Sequence, residues 1–297
     1  MRKKSVVILA PTGMLGSMVY KVLKDKYRLI LVYRNQEKLE KLDQLYGGVN
    51  KHQLIHFDFD HLFTDYLKGF PAMSLSPRLK NLINKIGQGE AIINCAGITK
   101  PHSLKKPLLT LFINGFLPQI LSNVYRDKLI QIATDCVYSG LTGAPYTEDA
   151  VQTPNDLYGL SKSLGEPRQS LVLRTSIIGP EIDGYQQLLE WFRRQKNKTI
   201  PGFTNHLWNG ITTRQFALIC NQIISNRKKF PKCGTFHIFS NSLSKYEMLK
   251  KFESKYQIGA RIKPIKTEIP VDRRLGTKYN LCKMLNIPKF DDMLHDL

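Results

Sequence analysis

Ser5-Val6-Val7-Ile8-Leu9-Ala10-Pro11-Thr12-Gly13-Met14-Leu15-Gly16 decides the fold: a β-branched and aliphatic run passes through a turn into a helix-period stretch ending near Lys24. Strand, glycine turn and helix in that order aim backbone N–H groups and the positive end of a helix dipole at one spot, which suits a phosphate. A Cβ in the turn would hold a pyrophosphate away from the backbone, so glycine belongs there. Thr12, Gly13, Met14, Leu15 and Gly16 are therefore the candidate residues for the phosphates of a dinucleotide. T-G-x-x-G alone is a weak signal that any tight turn can carry; its place on the first βα turn gives it weight.

Outward from this turn, the chain to Arg174 alternates short aliphatic runs with longer helix-period segments, the pattern of βαβ units around a parallel sheet. Strands are expected at Ser5–Ala10, Arg28–Tyr33, Gln53–Phe57, Ala91–Cys95, Leu129–Ala133 and Ser170–Arg174. The segment Pro107–Tyr125 carries Leu108, Leu109, Phe112, Phe116, Ile120, Leu121 and Val124, close to helical i, i+3, i+4 spacing. The expectation is an α/β, Rossmann-type doubly wound parallel sheet over residues 1–175, with helices on both faces. After Arg174 the rhythm changes. Leu188–Gln195, Arg214–Ser225 and Lys245–Tyr256 read as helices and Thr235–Phe239 as a strand, separated by loops rich in Gly, Pro and Asn. Residues 176–297 are expected to form a smaller α/β substrate domain, with some segments free to return to the sheet.

The end of the second strand bears on the cofactor. NAD-specific folds place an acidic side chain there for the ribose 2′-OH, whereas this chain has Leu31-Val32-Tyr33-Arg34. Arg34 can pair a 2′-phosphate through its planar fork, so NADP(H) is expected in preference to NAD(H). A surface arginine is the plainer reading of the same residue. Asp58, just past the third strand, could meet the adenine amino group, or simply close a turn.

Bulk composition narrows the classes. Hydrophobic residues at 42% and charged residues at 23% suit a globular protein. The formal charge of +20 invites a nucleic-acid partner, but the basic residues are scattered over helical faces and no nucleic-acid motif accompanies them. A basic surface also attracts phosphorylated cofactors and substrates. Met1-Arg2-Lys3-Lys4 before Val6–Leu9 mimics a leader, yet the apolar run is short and broken at Pro11. No stretch is expected to span a membrane, and a cytoplasmic location follows. Five cysteines without a C-x-x-C pair indicate neither a disulfide framework nor a metal site.

The catalytic candidates are Tyr158 and Lys162, which share a helix face at i and i+4. A nearby ammonium favours a phenolate and should lower the phenol's pKa. The spacing is common, for Tyr20/Lys24 and Tyr246/Lys250 show it too. Context separates them: the fifth strand delivers Thr134 and Asp135 at its carboxyl end, where ligands of open α/β sheets bind, just before the Tyr158 helix.

Four runs now carry a resemblance: Ala133-Thr134-Asp135-Cys136-Val137-Tyr138-Ser139-Gly140, Tyr146-Thr147-Glu148-Asp149, Asp156-Leu157-Tyr158-Gly159-Leu160-Ser161-Lys162-Ser163-Leu164-Gly165-Glu166, and Leu173-Arg174-Thr175-Ser176-Ile177-Ile178-Gly179. The chain resembles the dTDP-4-dehydrorhamnose reductase family of extended short-chain dehydrogenases from Val6 to about Phe239. The resemblance implies an active site of Thr134, Tyr158 and Lys162. It also implies cofactor contacts at Cys95, Ala96, Gly97, Asn114, Thr175 and Ser176, a nucleotide-sugar substrate, a role in surface polysaccharide or glycan precursor synthesis, and room for a homodimer. Two departures stand out: Ala10 replaces the usual first glycine, and Cys136 stands where an aromatic is frequent.

The implied chemistry is reduction of a keto group, at C4, on a nucleotide-linked deoxysugar. Tyr158 would act as general acid and Thr134 would hydrogen-bond the developing alkoxide. Lys100, His102, Asp135, Trp191, Asn205 and Trp208 are loose candidates for the sugar nucleotide, and core packing or solvation explains each as well. Dehydratases of this superfamily follow the Thr with Asp-Glu, so Cys136 argues against that reaction. An NAD-recycling epimerase stays open, as does a non-catalytic dinucleotide-binding subunit like the regulatory subunit of methionine adenosyltransferase.

Overall fold

A computed structural model describes residues 3–69, 71, 74–87 and 89–297; Met1 and Arg2 of the basic start lie outside the described residues. Alternation within the first strand builds two layers at once. In β1 (Ser5–Leu9), Val6 and Ile8 join one core cluster while Val7 and Leu9 join another on the opposite face. Such two-sided burial is what an all-parallel sheet demands.

The strands are β1, β2 (Arg28–Tyr33), β3 (Gln53–His56), β4 (Ala91–Asn94), β5 (Leu129–Thr134) and β6 (Leu171–Thr175). They pair in parallel in the order 3-2-1-4-5-6, and the strand Gly234–His237 adds beyond β6 as a seventh. The strand foreseen at Thr235–Phe239 thus returns to the main sheet. The helix Thr213–Ser225 also comes back, packing Phe216, Ile219, Cys220 and Ile223 into the same cluster as α1 (Met14–Leu23) and as Leu39 and Leu42 of α2 (Gln36–Tyr46). The other face is covered by α3 (Phe59–Leu67), α4 (Pro77–Ile86) and the run that begins at Pro107.

That run is helical as expected, but Phe112–Phe116 forms a π-helical turn between α-helices Pro107–Leu111 and Leu117–Tyr125. Contrary to the expectation that nothing is long and apolar enough for a membrane, Pro107–Lys128 passes that test at 22 residues. Two thirds of its apolar window, 67%, is buried within the fold, as befits a core helix.

Beyond β6, side chains rather than a continuous sheet organise the chain. Thr199–Phe203 pairs in parallel with Arg261–Ile265, and His206–Trp208 lies between Leu243–Ser244 and Val271–Asp272. Ser244 and Glu247 form a reciprocal cap that starts the helix Lys245–Tyr256. The order reversal between β1 and β4 leaves a crevice at their carboxyl ends.

Candidate active site

The glycine turn works by close approach. An ideal Cβ on Gly16 would sit 2.1 Å from the Ala10 carbonyl oxygen, so only glycine lets α1 begin there. Gly13 is exposed at the N-cap of α1 and has nothing nearer than 3.7 Å to a Cβ, which leaves the cradle open. Ala10 takes φ +56°, the left-handed region that explains why glycine is usual at this position. Gly97, beyond β4, is exposed on the other side of the crevice. The residues present therefore fit a dinucleotide whose phosphates lie at this turn.

Arg34 directly follows β2, 61% exposed at its side chain, 3.2 Å from Asp60 and 3.8 Å from Asp58. Asp58 also caps α3 by accepting from the Asp60 N–H at 2.9 Å, so its carboxylate already has a structural task. Thr12 and Met14 are partly exposed, whereas Leu15 is buried behind the turn.

Beyond Leu15 and Gly16, three more residues expected at the cofactor are buried. Asn114 has no accessible surface. Its side chain accepts from the Ile98 N–H at 2.8 Å and donates to the Ile98 carbonyl at 2.9 Å and to the Ser161 hydroxyl at 3.0 Å. It thereby braces the loop after β4 to the Tyr158 helix. Thr175 is buried and donates to the Ser176 carbonyl at 3.2 Å, and Ala96 is buried with its N–H on Asn94 at 3.1 Å. Cys95 and Ser176 are partly exposed.

The helix Leu157–Leu164 is positioned by three contacts. Asp156 caps it, accepting from the Gly159 N–H at 2.7 Å. A Cβ on Gly159 would meet the Cys136 carbonyl at 2.2 Å, and one on Gly165 would meet the Asn114 carbonyl at 1.9 Å. Glycines thus let the helix lie against both the turn after β5 and the π-helical turn. Tyr158 is thereby brought to the end of β5, where its phenol lies beside the Thr134 hydroxyl. Lys162 is buried one turn on, donating to the Ile132 carbonyl at 2.9 Å.

Burial dominates the electrostatics. It raises the Tyr158 phenol above its ordinary value, Cys136 adds to the rise, and the neighbouring Thr134 hydroxyl opposes it. The expected lowering by Lys162 is outweighed, since that ammonium is turned onto a strand carbonyl. Burial lowers Lys162 to about 8, against the pull of Glu166 and Cys95. The Cys136 thiol is pushed up to about 12 by burial and by Asp135, so it is no ready nucleophile.

Of the substrate candidates, Asp135 reaches the site, buried beside Thr134 at 3.1 Å. Lys100 lies 2.7 Å from Asp156, while His102 is exposed nearby. Trp191 lies on the exposed side of the helix Leu188–Arg193. Trp208 does not offer a stacking face: it is buried edge-on to Phe290 and covered by Gly210, whose Cβ would come within 2.5 Å of the ring. Asn205 accepts from the Thr267 N–H at 3.1 Å and donates to its carbonyl at 2.8 Å, holding a loop.

Sequence reading missed the cations opposite. Arg273 donates to the Tyr138 carbonyl at 3.1 Å and approaches the Cys136 sulfur at 3.8 Å, and it acts with Lys245 on Asp135. Both also depress His206, whose main shift comes from burial. Only the Arg273-Arg274 pair could have hinted at this.

A parallel sheet that delivers a Tyr/Lys helix to the crevice its glycine turn opens is the design of the extended short-chain dehydrogenase/reductases. Comparison with known families narrows the class. The family model described as RmlD substrate binding domain matches residues 74–274, more than half of the chain, and the chain belongs to that family. Methionine adenosyltransferase 2 subunit beta of Rattus norvegicus is 25% identical over 289 residues, covering 90% of this chain and 77% of its own. A dTDP-4-dehydrorhamnose reductase of Streptomyces griseus is 35% identical over 79 residues, 25% of this chain and 26% of its own. The solved dTDP-4-dehydrorhamnose reductase of Bacillus anthracis, in complex with NADP, superposes with a TM-score of 0.69 at 19% identity, covering 100% and 98% of the two chains.

Proposed function

We propose that the chain reduces a keto group, at C4, on a nucleotide-linked deoxysugar with NADPH, in the synthesis of surface polysaccharide or glycan precursors. The observation that carries this reading is the Tyr158–Thr134 hydroxyl pair at the end of β5, with Lys162 buried one turn away on the same helix. A neutral phenol kept protonated by burial is the right state for a general acid in the reducing direction. When bound, the reduced dinucleotide supplies the hydride. Tyr158 then gives its proton to the carbonyl oxygen as that oxygen gains charge, while Thr134 holds the same oxygen in place. Lys162 lies where it would hold the nicotinamide ribose, and Gly13 to Gly16 would hold the pyrophosphate.

Lys245 and Arg273 support an anionic substrate. They face Asp135 and Cys136 from the far side of the crevice, where the diphosphate of a nucleotide-sugar would find two cations. Arg34 supports NADPH over NADH: its pairing with Asp60 is exposed and therefore weak, so a 2′-phosphate can displace it.

A second reading has an observation of its own. Likeness to methionine adenosyltransferase 2 subunit beta extends over 90% of the chain, far more than likeness to the Streptomyces griseus reductase. That favours a dinucleotide-binding partner subunit, whereas the assembled Tyr158, Thr134 and Lys162 favour catalysis. NADPH oxidation followed across dTDP- and UDP-linked 4-keto-6-deoxysugars separates them. The reductase reading expects turnover, and a fall in kcat of at least about 100-fold in Tyr158→Phe. No turnover by the wild type, or equal turnover by the variant, would reject it.

A further inference from the structure

Behind the crevice a buried histidine meets an arginine. The Arg174 guanidinium, 2% exposed, donates through Nη1 to His237 Nε2 at 2.7 Å and to the Tyr138 hydroxyl at 2.6 Å. Its other two nitrogens grip the Glu166 carboxylate at 2.9 and 2.5 Å. Arginine has donors and no acceptor, so His237 Nε2 is the bare nitrogen of a neutral ring. The ring hydrogen is then on Nδ1, which donates to the Gly276 carbonyl at 2.7 Å and the Tyr146 carbonyl at 3.1 Å. His237 has no accessible surface, and no step derived above uses it.

Three parts of the candidate site meet at this ring. Glu166 follows the helix that carries Tyr158 and Lys162, and Tyr138 follows the turn that carries Asp135 and Cys136. Gly276 belongs to a strap, residues 271–278, whose Arg273 lies on that turn. The Arg273 guanidinium donates to the Tyr138 carbonyl at 3.1 Å and to Asn155 Oδ1 at 3.3 Å, and it lies 3.8 Å from Cys136 Sγ. Asn155 directly precedes Asp156, the cap of the Tyr158 helix. We propose that His237 is a positioning residue whose neutral ring holds the strap, and with it Arg273, against the turn after β5, so that a phosphorylated substrate finds its cation in place. The inference rests on the reading of Arg273 as a contact for the diphosphate of a nucleotide-sugar.

A second proton undoes the arrangement. Placed on Nε2 it faces an Arg174 N–H across 2.7 Å, and two donors cannot share that contact. The surroundings offer the imidazolium little in return. Glu166 is taken up by Arg174, and Glu148 accepts from the His237 backbone N–H at 3.0 Å, the Thr277 hydroxyl at 2.6 Å and the Lys278 N–H at 3.0 Å. Among the described residues neither carboxylate bonds the ring. The Tyr138 hydroxyl lies 3.4 Å from Nε2, and the Cys282 thiol donates to the His237 carbonyl at 3.1 Å. Burial and Arg174 accordingly hold the ring below its ordinary pKa, against the pull of Glu148. The strap is therefore fully held at neutral pH, and the hold is lost as pH falls through the lowered value.

Calorimetric binding of dTDP-glucose and UDP-glucose tests this without requiring turnover. In the wild type, affinity should fall at least about fivefold between about pH 7 and pH 5. His237→Asn keeps an amide N–H where Nδ1 donates to Gly276 and carries no charge at any pH. It should bind as the wild type does at neutral pH and lose the pH dependence. His237→Gln reaches toward Arg174 instead and gives up the strap, so its affinity should be lower at every pH while NADPH binding at neutral pH is unchanged. If the His237 variants do not fold, Arg273→Ala decides, since without the held cation the pH dependence should vanish. A flat wild-type profile, or a slope that survives in His237→Asn or Arg273→Ala, overturns the proposal and leaves the reductase reading to its own NADPH assay. A wild type that binds neither sugar nucleotide at neutral pH removes the diphosphate reading and the proposal together.

Discussion

The cofactor half and the substrate half of the crevice are held by different physics. Up to Thr175, backbone does the placing: five parallel pairings set the carboxyl ends of β1 to β6, and glycines at 16, 159 and 165 permit approaches that any Cβ would block. After Thr175, side chains tie loops to distant backbone. Asn209 binds both the N–H and the carbonyl of Leu275, at 2.9 and 2.8 Å. His237 accepts from Arg174 at 2.7 Å and donates to the Gly276 carbonyl at 2.7 Å, while Glu148 holds the Thr277 hydroxyl and the Lys278 N–H. The first half can therefore be damaged by adding one methyl group. The second is damaged by removing a polar one.

Paired glycines give the largest expected effect. Gly16→Ala puts a Cβ against backbone at 2.1, 2.9 and 3.0 Å, so the turn itself must move. A loss of about 3 kcal/mol is expected, read as a lower midpoint in urea unfolding. Gly13→Ala meets nothing closer than 3.7 Å and should leave that midpoint in place while weakening NADPH binding measured by fluorescence. Equal unfolding midpoints for the two variants would erase the distinction between a packing glycine and a ligand-facing one.

Next comes the substrate half. Arg273→Ala removes a guanidinium that bonds the Tyr138 carbonyl and faces Asp135 across the crevice. If it binds a diphosphate, KM for the sugar nucleotide should rise between about tenfold and 100-fold, with NADPH affinity unchanged. A larger effect on NADPH than on the sugar would place Arg273 on the wrong side of the comparison. Arg34→Ala is the mirror test on the cofactor side: preference for NADPH over NADH should fall about tenfold, because an exposed charge contact is screened. An unchanged preference would return Arg34 to an ordinary surface arginine.

The same contrast explains what was legible in the sequence. The range Arg28–Tyr33 agrees with the structure residue for residue, as does Lys245–Tyr256, because period and flanking signals are local. The π-helical turn at Phe112–Phe116 was not foreseen, since its cause is tertiary: the Tyr158 helix packs against Gly115, where a Cβ would meet Leu164 at 3.1 Å. Thr134, Tyr158 and Lys162 were legible because strand end and helix face suffice to bring them together. Arg273 and Lys245 lie more than 100 residues from Asp135 in the chain and carry no local motif. Trp208 was left between stacking and core packing for a related reason: an indole in a loop-rich segment carries no local sign that Gly210 and Phe290 close over it.

Ala10 gives the smallest and most discriminating prediction. Its φ of +56° places a Cβ-bearing residue in the left-handed region, at a penalty of roughly 1 to 2 kcal/mol. Yet the turn is fixed from both sides: the Ala10 N–H donates to the Val32 carbonyl at 2.9 Å, and its carbonyl accepts from the Gly13 N–H at 3.3 Å. Ala10→Gly should relieve that penalty while giving the unfolded chain roughly 0.4 to 1 kcal/mol of extra freedom. The two oppose, and the net gain expected is about 0.5 kcal/mol, read as a slightly higher midpoint in urea unfolding. A variant less stable than the wild type would mean that the alanine methyl makes contacts worth more than the backbone strain. The first turn would then owe its shape to side-chain packing, as the substrate half does.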